Sequence, residues 1–126
     1  MKKAGLVFGL VFGLLCGSAL VCRGNTVNAN VQTGVNELGV YVVRITNTSN
    51  WTWSDIKVCL NSGLIGNGHY VEIPKLQPGV SREWPASAFA NSKGERFSIA
   101  AMKIKTVIIR CTDPAGHLQS EGWNIR

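Results

Sequence analysis

An antiparallel β-sandwich of about seven short strands is the fold class this sequence predicts, and three observations carry it. From residue 40 onward the chain is a series of short runs rich in β-branched and aromatic residues, turn-forming residues separate the runs at regular spacing, and no helical period of any length intervenes. The expected strands are residues 40–47, 55–61, 69–73, 80–84, 96–99, 103–111 and 118–125. Asn61-Ser62-Gly63, Gly66-Asn67-Gly68, Gln77-Pro78-Gly79, Ser92-Lys93-Gly94 and Asp113-Pro114-Ala115-Gly116 punctuate them. Pro85 introduces one isolated helical turn over residues 86–90.

Lys2 and Lys3 precede an uncharged apolar run over residues 4–22, and Arg23 closes it. This is the form of an export signal, and its length is close to the ~20 residues that cross a bilayer as a helix. Residues 1–29 are therefore read as a signal peptide or an uncleaved single-pass anchor helix, with Val27-Asn28-Ala29 the favoured cleavage site and Gly17-Ser18-Ala19 an earlier one. Either reading exports the rest of the chain to the periplasm, the cell surface or the medium, because the two lysines hold the N-terminus in the cytoplasm. Residues 30–39, polar and rich in Asn and Gly, read as a linker, and residues 40–126 as the sandwich domain.

Side-chain alternation assigns the faces. Tyr41, Val43 and Ile45 point to the core from the first run, and Ile56, Val58 and Leu60 from the second, with Lys57, Cys59 and Asn61 outward. Near the C-terminus Val107, Ile109 and Cys111 share the inner side. Cys59 and Cys111 are the two cysteines of the exported part, and an oxidising compartment favours a disulfide between them, worth about 4 kcal/mol in the chain-entropy model. Parity opposes it: Cys111 points inward and Cys59 outward unless a bulge shifts one strand. The alternative is a buried Cys111 and an exposed free Cys59 able to form an intermolecular link.

Composition excludes several function classes. Of thirteen basic residues Lys2, Lys3 and Arg23 lie in the N-terminal segment, leaving ten against seven acids. No basic run or aromatic-interleaved basic patch marks a nucleic-acid interface. His69 and His117 lie far apart with no companions at ligand spacing, so neither a metal nor another cofactor is expected. Ser54-Asp55-Ile56-Lys57 matches S-x-x-K, but on a strand Ser54 and Lys57 face opposite ways and no partner motif follows. The chain is expected not to be an enzyme.

The order I-T-N-T (residues 45–48), W-x-W (51–53), V-x-L-N (58–61), L-x-P-G (76–79), Phe89 followed by a polar turn and Arg96-Phe97, I-I-x-C (108–111) and Gly122-Trp123 resembles small immunoglobulin-like or fibronectin-type-III-like domains of bacterial secreted proteins and lipoproteins. The resemblance spans residues 38–126. It implies an immunoglobulin-like sandwich without a reaction, and Cys59 and the missing lipidation motif depart from its pattern.

The candidate contact surface is Trp51 and Trp53, two apart on one face of an extended segment, with Asn50 beside them. Aromatic rings flanked by amides and hydroxyls suit a protein anchor or a sugar-stacking platform. The structural alternative is that at least one of the pair folds into the core. The expected function is thus an extracytoplasmic module for protein interaction, adhesion or envelope structure, with an accessory carbohydrate-binding module second. The expected partner is a protein or glycan at the cell envelope, with membrane contact only through the N-terminal segment.

Overall fold

The computed structural model describes residues 26–62 and 68–125. The expected signal or anchor helix lies outside the described residues. Seven strands form two antiparallel sheets: β1 (Ala29–Val35), β2 (Tyr41–Asn47), β3 (Trp53–Leu60), β4 (His69–Leu76), β5 (Ser81–Pro85), β6 (Thr106–Thr112) and β7 (Leu118–Asn124). One sheet has the order β1-β2-β5 and the other β4-β3-β6-β7. A 3-10 turn at Ala86–Ala88 follows Pro85, within the stretch where the sequence placed a helical turn.

The core lies between the sheets. Val43, Ile45 and Trp84 from the first meet Trp53, Ile56, Val58, Leu60, Val107, Ile109 and Cys111 from the second. The inward sets read for β2, β3 and β6 hold, except that Tyr41 is only half-buried. Phe89 and Phe97, both buried, come from the long β5–β6 connection and close one end, with Phe89 edge-on to Trp84 at 5.9 Å.

Two strand assignments are corrected. The presumed linker holds β1, which pairs along its whole length with β2. It is an edge strand whose outer face (Asn30, Gln32, Gly34) meets solvent and whose inner face (Ala29, Val31, Thr33) needs only small side chains, so the alternation that marks a strand is faint. Residues 96–99 form no strand. Asn91 Oδ1 accepts hydrogen bonds from the amides of Lys93 and Glu95, curling the chain so that Ala90 bridges both Tyr70 and Arg96 and Phe97 turns into the core.

The sandwich has two distinct ends. The N-terminal residues 26–28, the β2–β3 link, the β4–β5 turn and the β6–β7 hairpin gather at one, which we call the entry end. The β1–β2 hairpin, the β5–β6 connection and Ile125 gather at the other, the far end.

Candidate functional site

At the entry end the sequence-predicted residues are placed as structure. Trp53 is 0% exposed and Trp51 8%, so both rings take the structural alternative and pack into the core rather than forming an exposed contact surface; Asn50 alone of the three is exposed. The cause is a bulge. Register against β6 shifts between Ser54 and Lys57, and Asp55 sits there with φ of 49°, the left-handed region that Asp tolerates better than most residues. The extra residue reverses the phase of the strand, so Trp53 joins Ile56 on the core side, whereas uninterrupted alternation would set them on opposite faces.

Around these rings lies a buried polar knot. The Asn47 side-chain amide, itself fully buried, donates to the carbonyls of Trp51 and Leu76 at 3.0 and 2.9 Å and accepts from the Ser49 amide at 2.9 Å. Ser49 Oγ accepts from the Asn28 amide and from Trp53 Nε1, at 2.8 and 3.3 Å. Trp51 Nε1 donates to the Thr26 carbonyl at 3.2 Å. Every buried side-chain nitrogen and oxygen of this knot has a hydrogen-bond partner, which fixes the N-terminal entry of the chain.

The cysteines do not meet. Cys111 faces the core and Cys59 the outer side of β3, as parity requires, and both thiols are free. The exposed Cys59 of the sequence reading is corrected: it is only 5% exposed, between Tyr70 on β4 and Ile108 on β6, with the Lys57 ammonium 4.3 Å over the Tyr70 ring beside it. An intermolecular link would require Cys59 to emerge from between these neighbours. Burial raises the pKa of both thiols, that of Cys111 to about 11 with Asp113 adding to the effect; at Cys59 Arg110 and Lys57 partly oppose it.

His69 lies on the inner side of β4, edge-on to Phe97 at 5.4 Å, and His117 caps the exposed β6–β7 hairpin. Asp113 is buried at that hairpin and accepts from the amides of Ala115 and His117 and from Gln119 Nε2, a turn-forming role. Among the described residues no group of three or more His, Cys, Asp or Glu side chains could hold a metal ion.

The far end is the residue set that sequence reasoning missed. Val35, Leu38 (85% exposed) and Val40 stand out from the β1–β2 hairpin, and Ile99 (43% exposed) from the β5–β6 connection. The turn presenting Leu38 is built by Asn36, whose Oδ1 accepts from the amides of Leu38 and Val40, with Gly39 at φ of 80°. Two concavities of about 380 and 480 Å³ open there, and Tyr41 and Ile99 line both. The cations at this rim, Arg96, Lys103 and Lys105, are held by backbone contacts. Asn61 donates to the Lys103 carbonyl at 2.7 Å and accepts from the Lys105 amide at 2.6 Å, and Arg96 donates to the Ser87 carbonyl. The signal available in the sequence was the apolar Val35, Leu38 and Val40 lying within and beside turn residues, where solvent exposure is the rule.

No family model, curated protein or solved structure matches this chain.

Proposed function

We propose that this chain is an extracytoplasmic, non-enzymatic sandwich module of immunoglobulin-like or fibronectin-type-III-like kind, which binds a protein partner at the cell envelope through the far end. Strand neighbours support the kinship. In the constant-type immunoglobulin arrangement strands 1, 2 and 5 share one sheet and strands 3, 6 and 7 the other. Those neighbours recur here, with β4 added beside β3 rather than beside β5. Trp53 on β3 and Cys111 on β6, both fully buried, occupy places where such domains set a core tryptophan and one half of an inter-sheet disulfide. Here β2 offers no second cysteine. The Lys2-Lys3 and apolar N-terminal pattern supports export.

The observation that carries the binding surface is the gathering of four of the six exposed large apolar side chains among the described residues, Val35, Leu38, Val40 and Ile99, at one end, against Val80 and Leu118 at the other. Site-specific photocrosslinking in the native host tests it. A photoreactive residue at Leu38 or Ile99 should give a discrete protein adduct, while one at Asn50 at the entry end should give none. Equal labelling from both ends, or none from the far end, would remove the assignment.

A further inference from the structure

We infer that the two adjoining concavities at the far end form a single site for a short extended peptide segment that combines aliphatic side chains with carboxylates. The inference rests on the interaction-module reading above and specifies what the partner presents. Its first support is the floor. Phe97 and Ile104, both buried, with half-buried Tyr41 and Ile125, form apolar walls that extend the core to the surface. Ile99 is the ridge shared by the two hollows, and each hollow has the volume of a few side chains. An extended peptide advances ~3.3 Å per residue and sends alternate side chains to one side, which suits two neighbouring apolar hollows.

Charge is the second support. Arg96 lines one hollow and Lys103 and Lys105 the other, and no acidic residue is among the described residues lining either. None of these three cations forms a salt bridge among the described residues, where the one such contact is between His117 and Asp113 at the entry end. Their backbones are nonetheless fixed: Asn61 holds Lys103 and Lys105, and the Ile125 amide donates to the Lys105 carbonyl at 2.8 Å. Cations that have no carboxylate partner among the described residues, set around an apolar floor, favour a carboxylate-bearing partner and repel a basic one. The choice of a peptide over an anionic membrane follows from shape: two separate apolar hollows divided by Ile99 fit the alternate side chains of one extended segment, which a lipid surface does not present.

The test is selection of random nonapeptides, displayed on phage, by the full chain purified from its native host. Recovered sequences should pair Asp or Glu with Leu, Ile, Val or Phe, and their binding should weaken by about tenfold or more between low salt and 0.5 M salt. The double variant Lys103→Glu/Lys105→Glu changes two exposed side chains and should switch selection to basic apolar peptides. Ile99→Asp should abolish recovery, with a far-ultraviolet spectrum unchanged in both variants. Recovery with no charge preference, recovery unaffected by Ile99→Asp, or binding only to vesicles of phosphatidylglycerol and phosphatidylcholine would each overturn the inference. Failure here with a discrete protein adduct at Leu38 or Ile99 in the crosslinking experiment rejects only this peptide chemistry. Failure of both rejects the module reading as well.

Discussion

At the scale of single residues, Asp55 decides more than its exposed position suggests. Its left-handed backbone creates the bulge that turns Trp53 inward, and an L-residue there carries a cost of roughly 1 to 2 kcal/mol that glycine avoids. Asp55→Gly is therefore expected to leave stability unchanged or raise it by up to about 1 kcal/mol, because relief of strain is offset by backbone entropy in the unfolded chain. Asp55→Val places a branched side chain at a positive φ and should cost about 2 kcal/mol or more, with tryptophan emission shifting to longer wavelength as the ring loses its site. Urea unfolding of the two variants checks the ordering, and equal stabilities would show that the bulge does not fix the ring. Cys111 gives a pH signature. Its folded-state thiol keeps the proton to about pH 11, against an ordinary value of 9.0. Between those values the native state holds more protons than the unfolded state, so this thiol lowers stability as pH rises and has no effect below about pH 9. The difference amounts to about 2 to 3 kcal/mol by pH 11. Cys111→Val should flatten the decline in unfolding free energy over that window relative to the parent, and parallel curves would refute the assignment. Cys59, also raised by burial, adds a decline of the same sign.

At the scale of elements, legibility followed burial. β2, β3 and β6 lie inside their sheets, so their core-facing residues must be apolar and the alternation shows in the sequence. β1 lies at an edge with one face in water, and its seven residues carry no pattern strong enough to separate it from a linker. The β3 bulge was invisible for a different reason: Asp55 is an ordinary residue by type, and only its backbone angle sets it apart. The same limit hid the far-end site, since Lys103 and Lys105 come together through Asn61, a contact distant in sequence. Edge protection is legible only once the register is known. Arg82 on β5 pairs with Ile45 and Glu121 on β7 pairs with Ile109, so these two of the four edge strands aim a charge toward the core side, a device that discourages further strand addition. Arg82 also lies over the Trp84 ring at 5.6 Å. Arg82→Val should change monomer stability by less than about 1 kcal/mol, as for an exposed site, while exposing an apolar edge. Light scattering at increasing concentration should show larger species for this variant than for the parent, and identical profiles would mean that the charge does not guard the edge.

At the scale of the whole molecule, the two ends of the sandwich are built differently. The entry end holds the buried polar knot and two tryptophans, with Val80 and Leu118 exposed at its rim, whereas the far end carries the larger set of exposed apolar side chains, Val35, Leu38, Val40 and Ile99. The entry-end knot constrains where any signal cleavage could fall. Val27 is buried in the core, the Asn28 amide donates to Ser49, the Thr26 carbonyl accepts from Trp51, and Ala29 begins β1. Cleavage after Ala29, which the sequence pattern favoured, would delete all of these. Loss of a buried valine costs roughly 1.5 to 3 kcal/mol, and each buried group left unmatched a further 1 to 3, a large share of the stability of a domain this small. Any processing compatible with this fold therefore occurs before Thr26, for which Gly17-Ser18-Ala19 is the available pattern. Intact mass of the natively expressed protein reads this directly: any processed species is expected to retain residues 26–29. A variant that begins at Asn30 should unfold at least about 3 kcal/mol more easily than one that begins at Thr26. A native mass beginning at Asn30 together with unchanged stability would mean that the entry-end knot does not hold the sandwich closed, and that Trp51 is free to serve a partner after all.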